Sequence, residues 1–212
     1  MAKPANAMVS NTIVRKDLWV QVPPAAPLLP ICVAAPPDPG YCVDPRQLEA
    51  EYVHLLGAYL GDGTLTRMKT KPVWKLRLFQ DSRYEHLISS WEHASLVVSG
   101  RRVTRVKRPG SVELVSHWKH WICLFPQHGP GPKHKRPIVL SPWQNNLVEH
   151  FPEQFLRGLI ESDGWRGTNW TRIRGQRYEY PRYQFSNRSL DIQELFKWAC
   201  YLIGVEHRQA NR

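Results

Sequence analysis

Acidic residues are scarce in this sequence. Its 18 Asp and Glu face 29 Lys and Arg, a formal charge of +11 over 212 residues. That balance disfavours a polycationic partner and points to a polyanionic one. Cysteine is equally sparse: Cys32, Cys42, Cys123 and Cys200 form no CxxC pair. Their placement excludes a disulfide-stapled scaffold and fits a reduced, cytoplasmic protein. His117, His120 and Cys123 recur every third residue in SHWKHWIC and invite a zinc reading. The stretch has strand composition, however, and no second ligand pair follows at zinc-finger spacing. Long apolar runs are missing too. The best candidate, residues 18–37, is broken by Pro23, Pro24, Pro27, Pro30, Pro36 and Pro37. It can be neither a membrane-spanning helix nor the core of a signal peptide.

What is present divides unevenly. Half of the 18 prolines fall in residues 1–45. There Lys3, Arg15 and Lys16 balance Asp17, Asp38 and Asp44, so all the excess positive charge lies in residues 46–212. Residues 1–44 read as an extended tail without a packed core. The remainder, which contains most of the nine tryptophans, has the apolar content to bury one.

Structure is expected from Asp44-Pro45, a cap followed by a residue pre-set for a first helical turn. The helix runs through EAEYVHLLGAYL to Gly61-Asp62-Gly63. KPVWKLRLF then alternates as a half-buried strand, with Trp74, Leu76 and Leu78 on one face and Lys75 and Arg77 on the other. Residues 81–98 form a second amphipathic helix, capped by Asp81 or Ser82. Pro109-Gly110 closes a hairpin within residues 101–126. Residues 127–137 are a basic, Pro/Gly-rich connector, and Ser141 with Gln144 makes a capping box for a short helix. The order then restarts. FPEQFLRGLIES is a helix closed by Asp163-Gly164, residues 171–186 a basic strand pair, and residues 189–205 another amphipathic helix.

Two stretches carry the main signal. LLGAYLGDG (residues 55–63) and LRGLIESDG (156–164) end alike, 101 positions apart. In each, two small residues lie four apart on one helical face: Gly57 and Gly61, then Gly158 and Ser162. Small residues at that spacing let two helix backbones approach closely. Helices so packed and ending at one level bring Asp62 and Asp163 together. Their mutual repulsion invites an oxygen-preferring divalent cation, of which Mg²⁺ is the usual choice beside phosphates. Taken singly, each motif reads better as a helix stopped by a left-handed C-terminal glycine; the second copy, the paired small residues and the matching downstream elements reverse that preference. The internal repeat of about a hundred residues is too long for a solenoid and fits a duplicated domain.

These two nonapeptides, with the matching order of elements around them, resemble the LAGLIDADG signature of homing endonucleases in their single-chain, two-motif form. The likeness covers roughly residues 45–204. It implies an α+β fold of two pseudo-symmetric αββαββα-type repeats, their motif helices packed together and their antiparallel sheets forming a DNA-binding saddle. The repeats would be residues 45–126 and 151–212, joined by a basic linker and short helix at 127–150. It implies catalytic Asp62 and Asp163, with Gly61 and Ser162 beside them as metal-site positions, Gly57, Gly61, Gly158 and Ser162 at the helix interface, and Mg²⁺ as cofactor. The sixth motif slot, Leu60 in one copy and Glu161 in the other, is not usually the metal ligand. The second repeat has eight residues after Gly204 and lacks its last hairpin, so half of the saddle is expected to be incomplete.

The implied partner is double-stranded DNA, with no membrane association. The protein would be monomeric, its two repeats forming a pseudo-dimer, and nucleoid-associated in a bacterial cell. Candidate DNA contacts are Lys75 and Arg77 in the first repeat, Arg101, Arg105 and Lys107 around the hairpin, and Arg172, Arg174, Arg182 and Gln184 in the second. Arg and Gln can read guanine and adenine edges bidentately, whereas Lys more often meets phosphate. The implied activity is site-specific double-strand cleavage. A non-cleaving transcriptional regulator and an RNA splicing cofactor on the same scaffold are the alternatives.

Overall fold

The computed structural model describes residues 49–208. The Pro-rich segment and the helix start at Asp44-Pro45 lie outside the described residues. The chain folds as α1 (Ala50–Asp62), β1 (Thr64–Arg67), β2 (Trp74–Asp81), α2 (Glu85–Ser99), β3 (Val103–Arg108), β4 (Ser111–Trp118) and α3 (Trp121–Leu124). A 3-10 turn at Lys133–Lys135 precedes α4 (Pro142–His150), α5 (Pro152–Asp163), β5 (Gly164–Ile173), β6 (Gln176–Phe185) and α6 (Leu190–Leu202). The architecture is α+β, and both sheets are antiparallel.

α1 lies at the centre, with every residue from Tyr52 to Leu60 buried. Its backbone comes into direct approach with that of α5 at two glycines. A Cβ placed on Gly57 would lie 2.5 Å from the Phe155 carbonyl oxygen and 2.9 Å from Leu159 N. One on Gly158 would meet the His54 carbonyl and, at 2.7 Å, Ala58 N. No side chain fits at either place. Further along, a Cβ on Gly61 would lie 2.5 Å from Ser162 Cβ, so all four small motif residues meet in one seam.

The glycine closing each motif has a different reason from the left-handed stop. Gly63 (φ −84°) and Gly164 (φ −94°) are extended. Their Cβ atoms would instead lie 2.5 Å from Tyr59 Cα and 2.7 Å from Ile160 Cα. Each chain folds so sharply from helix into strand that it presses on the preceding helical turn, and only glycine has room.

The first sheet runs β1-β2-β4-β3. Leu76 and Leu78 turn inward and Lys75 and Arg77 outward, as the alternation predicts. Four-residue β1 is too short for a periodic signal and lies outside the sequence expectation. Pro109 and Gly110 close the β3–β4 hairpin, with Gly110 at φ +72°. Asp81, expected as a helix cap, is instead the last residue of β2, and its carboxylate accepts from Arg83 N (2.9 Å). α2 therefore starts three residues later than Ser82. The strand composition of SHWKHWIC holds only through Trp118, because Trp121–Leu124 is a helical turn that buries Trp121 and Leu124. Gln144 Oε1 accepts from Ser141 N (2.9 Å), the returning half of the expected capping box.

The second sheet is the β5–β6 hairpin alone. β5 begins immediately after Asp163, earlier than the strand pair expected from residue 171, and the chain reverses at Arg174 (φ +51°) and Gly175 (φ +85°). At its base Phe185 is buried and stacks on Phe196 of α6, ring centroids 4.3 Å apart. Beyond that base both faces are open: Trp165 and Trp170 are 53% and 52% exposed.

Candidate active site

α1 and α5 end side by side at a cleft of about 1080 Å³. Asp62 and Asp163, the last helical residues, line it together with Thr64, Leu65, the 128–136 connector and residues 186–188. The two carboxylates feel each other. Asp62 is pushed up to about 6, first by burial and then by the charge of Asp163. Burial also raises Asp163, against the hydrogen bond from Asn187 Nδ2 to its Oδ2 (2.6 Å) and the nearby Lys133 charge. Each therefore carries its negative charge at a cost that a cation would offset.

Lys133 is already there. Its Nζ donates to the carbonyl oxygens of Tyr59 and, at 2.7 Å, of Gly61, and lies 5.0 Å from the centre of the Tyr59 ring. These are carbonyls at the C-terminal end of α1, where helical hydrogen bonding runs out and the helix dipole favours a cation. Burial pulls Lys133 down to about 8, and the charges of Asp163 and Asp62 oppose the shift. The sequence showed only a basic Pro/Gly-rich connector there. Lysine amid glycine and proline gives no periodicity, and its partner helix ends more than 70 residues earlier.

The donors suit an oxygen-preferring divalent cation. Among the described residues no three His, Cys, Asp or Glu converge, so two carboxylates would share the ion with backbone, water and phosphate oxygens. Of the other expected metal-site positions, the Gly61 carbonyl already accepts from Lys133 and retains a second lone pair. The Ser162 hydroxyl turns back into its own helix, donating to the Gly158 and Leu159 carbonyls at 3.0 Å.

The expected DNA contacts separate by face. Lys75 and Arg77 lie on the open face of the first sheet, where Thr66 and Thr64 stand directly across from them. Arg105 and Lys107 do not. They are in register with Leu114 and Val112, and Arg105 turns toward α2 to pair with Glu85 and Glu92. Those acids sit on a different element, so alternation along β3 alone could not reveal them. Arg101 lies in the exposed turn between α2 and β3. In the second unit Arg182 and Gln184 share the face opposite Tyr183 and Phe185, as expected. Arg172 is on the Phe185 side, and Arg174 forms the turn rather than a strand face.

The two units match in register. Two residues past each motif aspartate stand Thr64 and Trp165, which face Arg77 and Gln184; two further on, Thr66 and Gly167 face Lys75 and Arg182. A scan against protein-family models matches none, and a search of the curated proteins finds no match. Among the described residues no helix is long and apolar enough to cross a membrane.

Proposed function

We propose that this chain is a LAGLIDADG-type endonuclease: a monomer of two related units that cuts both strands of a specific DNA duplex with Mg²⁺. One observation carries this. Two helices that touch through Gly57 and Gly158 end in two carboxylates at a single cleft, with the Lys133 ammonium among them. A helix stop needs none of this convergence.

Asp62 and Asp163 would hold the metal, which when bound neutralises phosphate charge and acidifies an attacking water. Lys133, held on the Tyr59 and Gly61 carbonyls, would supply positive charge beside the place where negative charge grows on the scissile phosphate. Asn187 holds the Asp163 carboxylate in one orientation. The open faces of both sheets, with Lys75 and Arg77 on one and Arg182 and Gln184 on the other, would lie against the duplex. A non-cleaving DNA-binding regulator is the second reading, favoured by the two-stranded second sheet.

The test is a cleavage selection on a duplex library that includes the flanking genomic sequence, with Mg²⁺ and in parallel with Ca²⁺. Defined Mg²⁺-dependent double-strand cuts are expected. They should vanish in Asp62→Asn and Asp163→Asn while DNA affinity is largely kept, and Lys133→Met should slow them by about a hundredfold or more. Specific retention without cutting establishes the regulator. Equal loss of binding in both Asn variants overturns a catalytic role.

A further inference from the structure

The open face of the first sheet carries one buried acid. Glu113, in the middle of β4, has a side chain only 1% exposed, in register with Phe79 and Val106. Two arginines close over it. Arg77 Nε donates to Oε1 (2.6 Å), while Arg108 donates to Oε2 through Nε (3.2 Å) and Nη2 (2.9 Å). The Arg77 hydrogen bond is the leading cause that drops Glu113 to about 2, so the carboxylate stays charged throughout the useful pH range.

The atoms that Glu113 leaves alone are the informative ones. Arg77 is tied at Nε, and its guanidinium carbon sits 5.0 Å from the centre of the Phe79 ring. Its Nη1 and Nη2 make no hydrogen bond among the described residues, and the side chain is 32% exposed. A guanidinium held by its inner nitrogen on a carboxylate, against an aromatic ring, presents its outer pair as a fixed two-pronged donor. That is the geometry which meets guanine O6 and N7 in the major groove. Arg77 also stands directly across the sheet from Thr64, which lines the cleft. Its counterpart in the second unit, Gln184, has no strand beyond β6 to hold it. With its amide oriented so that the oxygen faces Arg182, it accepts from that residue of its own strand (3.2 and 2.9 Å).

We infer that Glu113 is a positioning residue for sequence readout: it locks Arg77 as a guanine reader near the cleft, in the first half-site only. This rests on the DNA reading above and adds which residue sets specificity, and in which half. A glutamate on a DNA-facing surface would otherwise weaken binding by repelling phosphate. Burial beneath two arginines removes that repulsion while keeping the aim.

The test compares the base preference of the full-length protein, Glu113→Gln and Arg77→Lys, by selection from a randomised duplex pool and by competition with unrelated duplex. The unmodified protein should select one guanine in one half-site strongly. Glu113→Gln should lose about ten- to a hundredfold of the preference at that base pair. Its affinity for unrelated duplex should stay equal or rise, because a negative charge is gone. Arg77→Lys changes a half-buried side chain and keeps a positive charge beside Glu113, so it reports even where Glu113→Gln fails to fold, and it should lose the same preference. Guanine preference retained in Arg77→Lys, or uniform weakening in a folded Glu113→Gln, overturns the inference alone. Absence of any sequence preference in the unmodified protein overturns the DNA reading and this inference with it.

Discussion

Glu161 fills the sixth place of the second motif, where the first has Leu60. Its carboxylate accepts from Trp91 Nε1 (2.9 Å) and Arg157 Nε (2.7 Å), and His54 Nε2 lies 2.6 Å away. Its backbone carbonyl accepts from Gln80 (3.0 Å). One side chain thus ties α5 to α1 and α2, and its carbonyl adds β2. Burial, the largest single influence, pushes the Glu161 carboxyl up, but the combined hydrogen bonds of His54, Arg157 and Trp91, with the charge of His54, hold it below the usual carboxylate range. A carboxylate depressed on folding contributes stability that is complete above its unfolded value, about 4.3, and is lost as pH falls through the folded one. Glu161→Leu should therefore cost about 3–5 kcal/mol at neutral pH, by leaving buried donors unmatched. It should also flatten the acid limb of the melting profile below about pH 4. Thermal melts across pH check both, and an unchanged acid limb counts against the network. The departure from the motif was visible in the sequence. Its partners, up to 107 residues away, were not.

At the scale of elements, the seam between α1 and α5 decides the fold. The i, i+4 spacing of small residues was legible because helix geometry makes it a local signal. Gly57→Leu or Gly158→Leu should leave no folded protein, since even the first carbon of a side chain meets backbone. The milder Gly158→Ala should still cost several kcal/mol, because backbone cannot yield as a flexible side chain can. Circular dichroism melts measure this, and a soluble Gly158→Leu with unchanged melting refutes the packing. Other elements were less legible for equally physical reasons. β1 has only four residues, and Asp81 looked like a cap because its turn with Arg83 resembles a capping pattern until β2 is seen running into it.

Over the whole molecule, α1-β1-β2-α2 and α5-β5-β6-α6 follow the same order, but the sheets they enter differ in strand number. β2 is paired on both sides, whereas β6 is paired only with β5. A two-stranded ribbon open on both faces is marginal in water. In hydrogen exchange, amides from Thr168 to Tyr180 should therefore exchange orders of magnitude faster than those of β2 and β4. Saturating DNA should slow them selectively if the hairpin enters a groove. Equal protection of both sheets in the free protein would contradict this uneven stability.

The sequence by itself determined the two motif helices and their seam, the inward and outward faces of β2 and the base of β6, and the pairing of Asp62 with Asp163. All of these follow from periods of 3.6 and 2 and from a motif written twice. Tertiary structure alone decided the rest. It seated Lys133 on the end of α1, turned Arg105 and Lys107 to the helix side of the sheet, placed extended rather than left-handed glycines after both aspartates, and set Glu113 beneath Arg77 and Arg108. Each of those depends on the approach of an element distant along the chain or on how sharply the chain turns, and neither leaves a local periodic pattern to read.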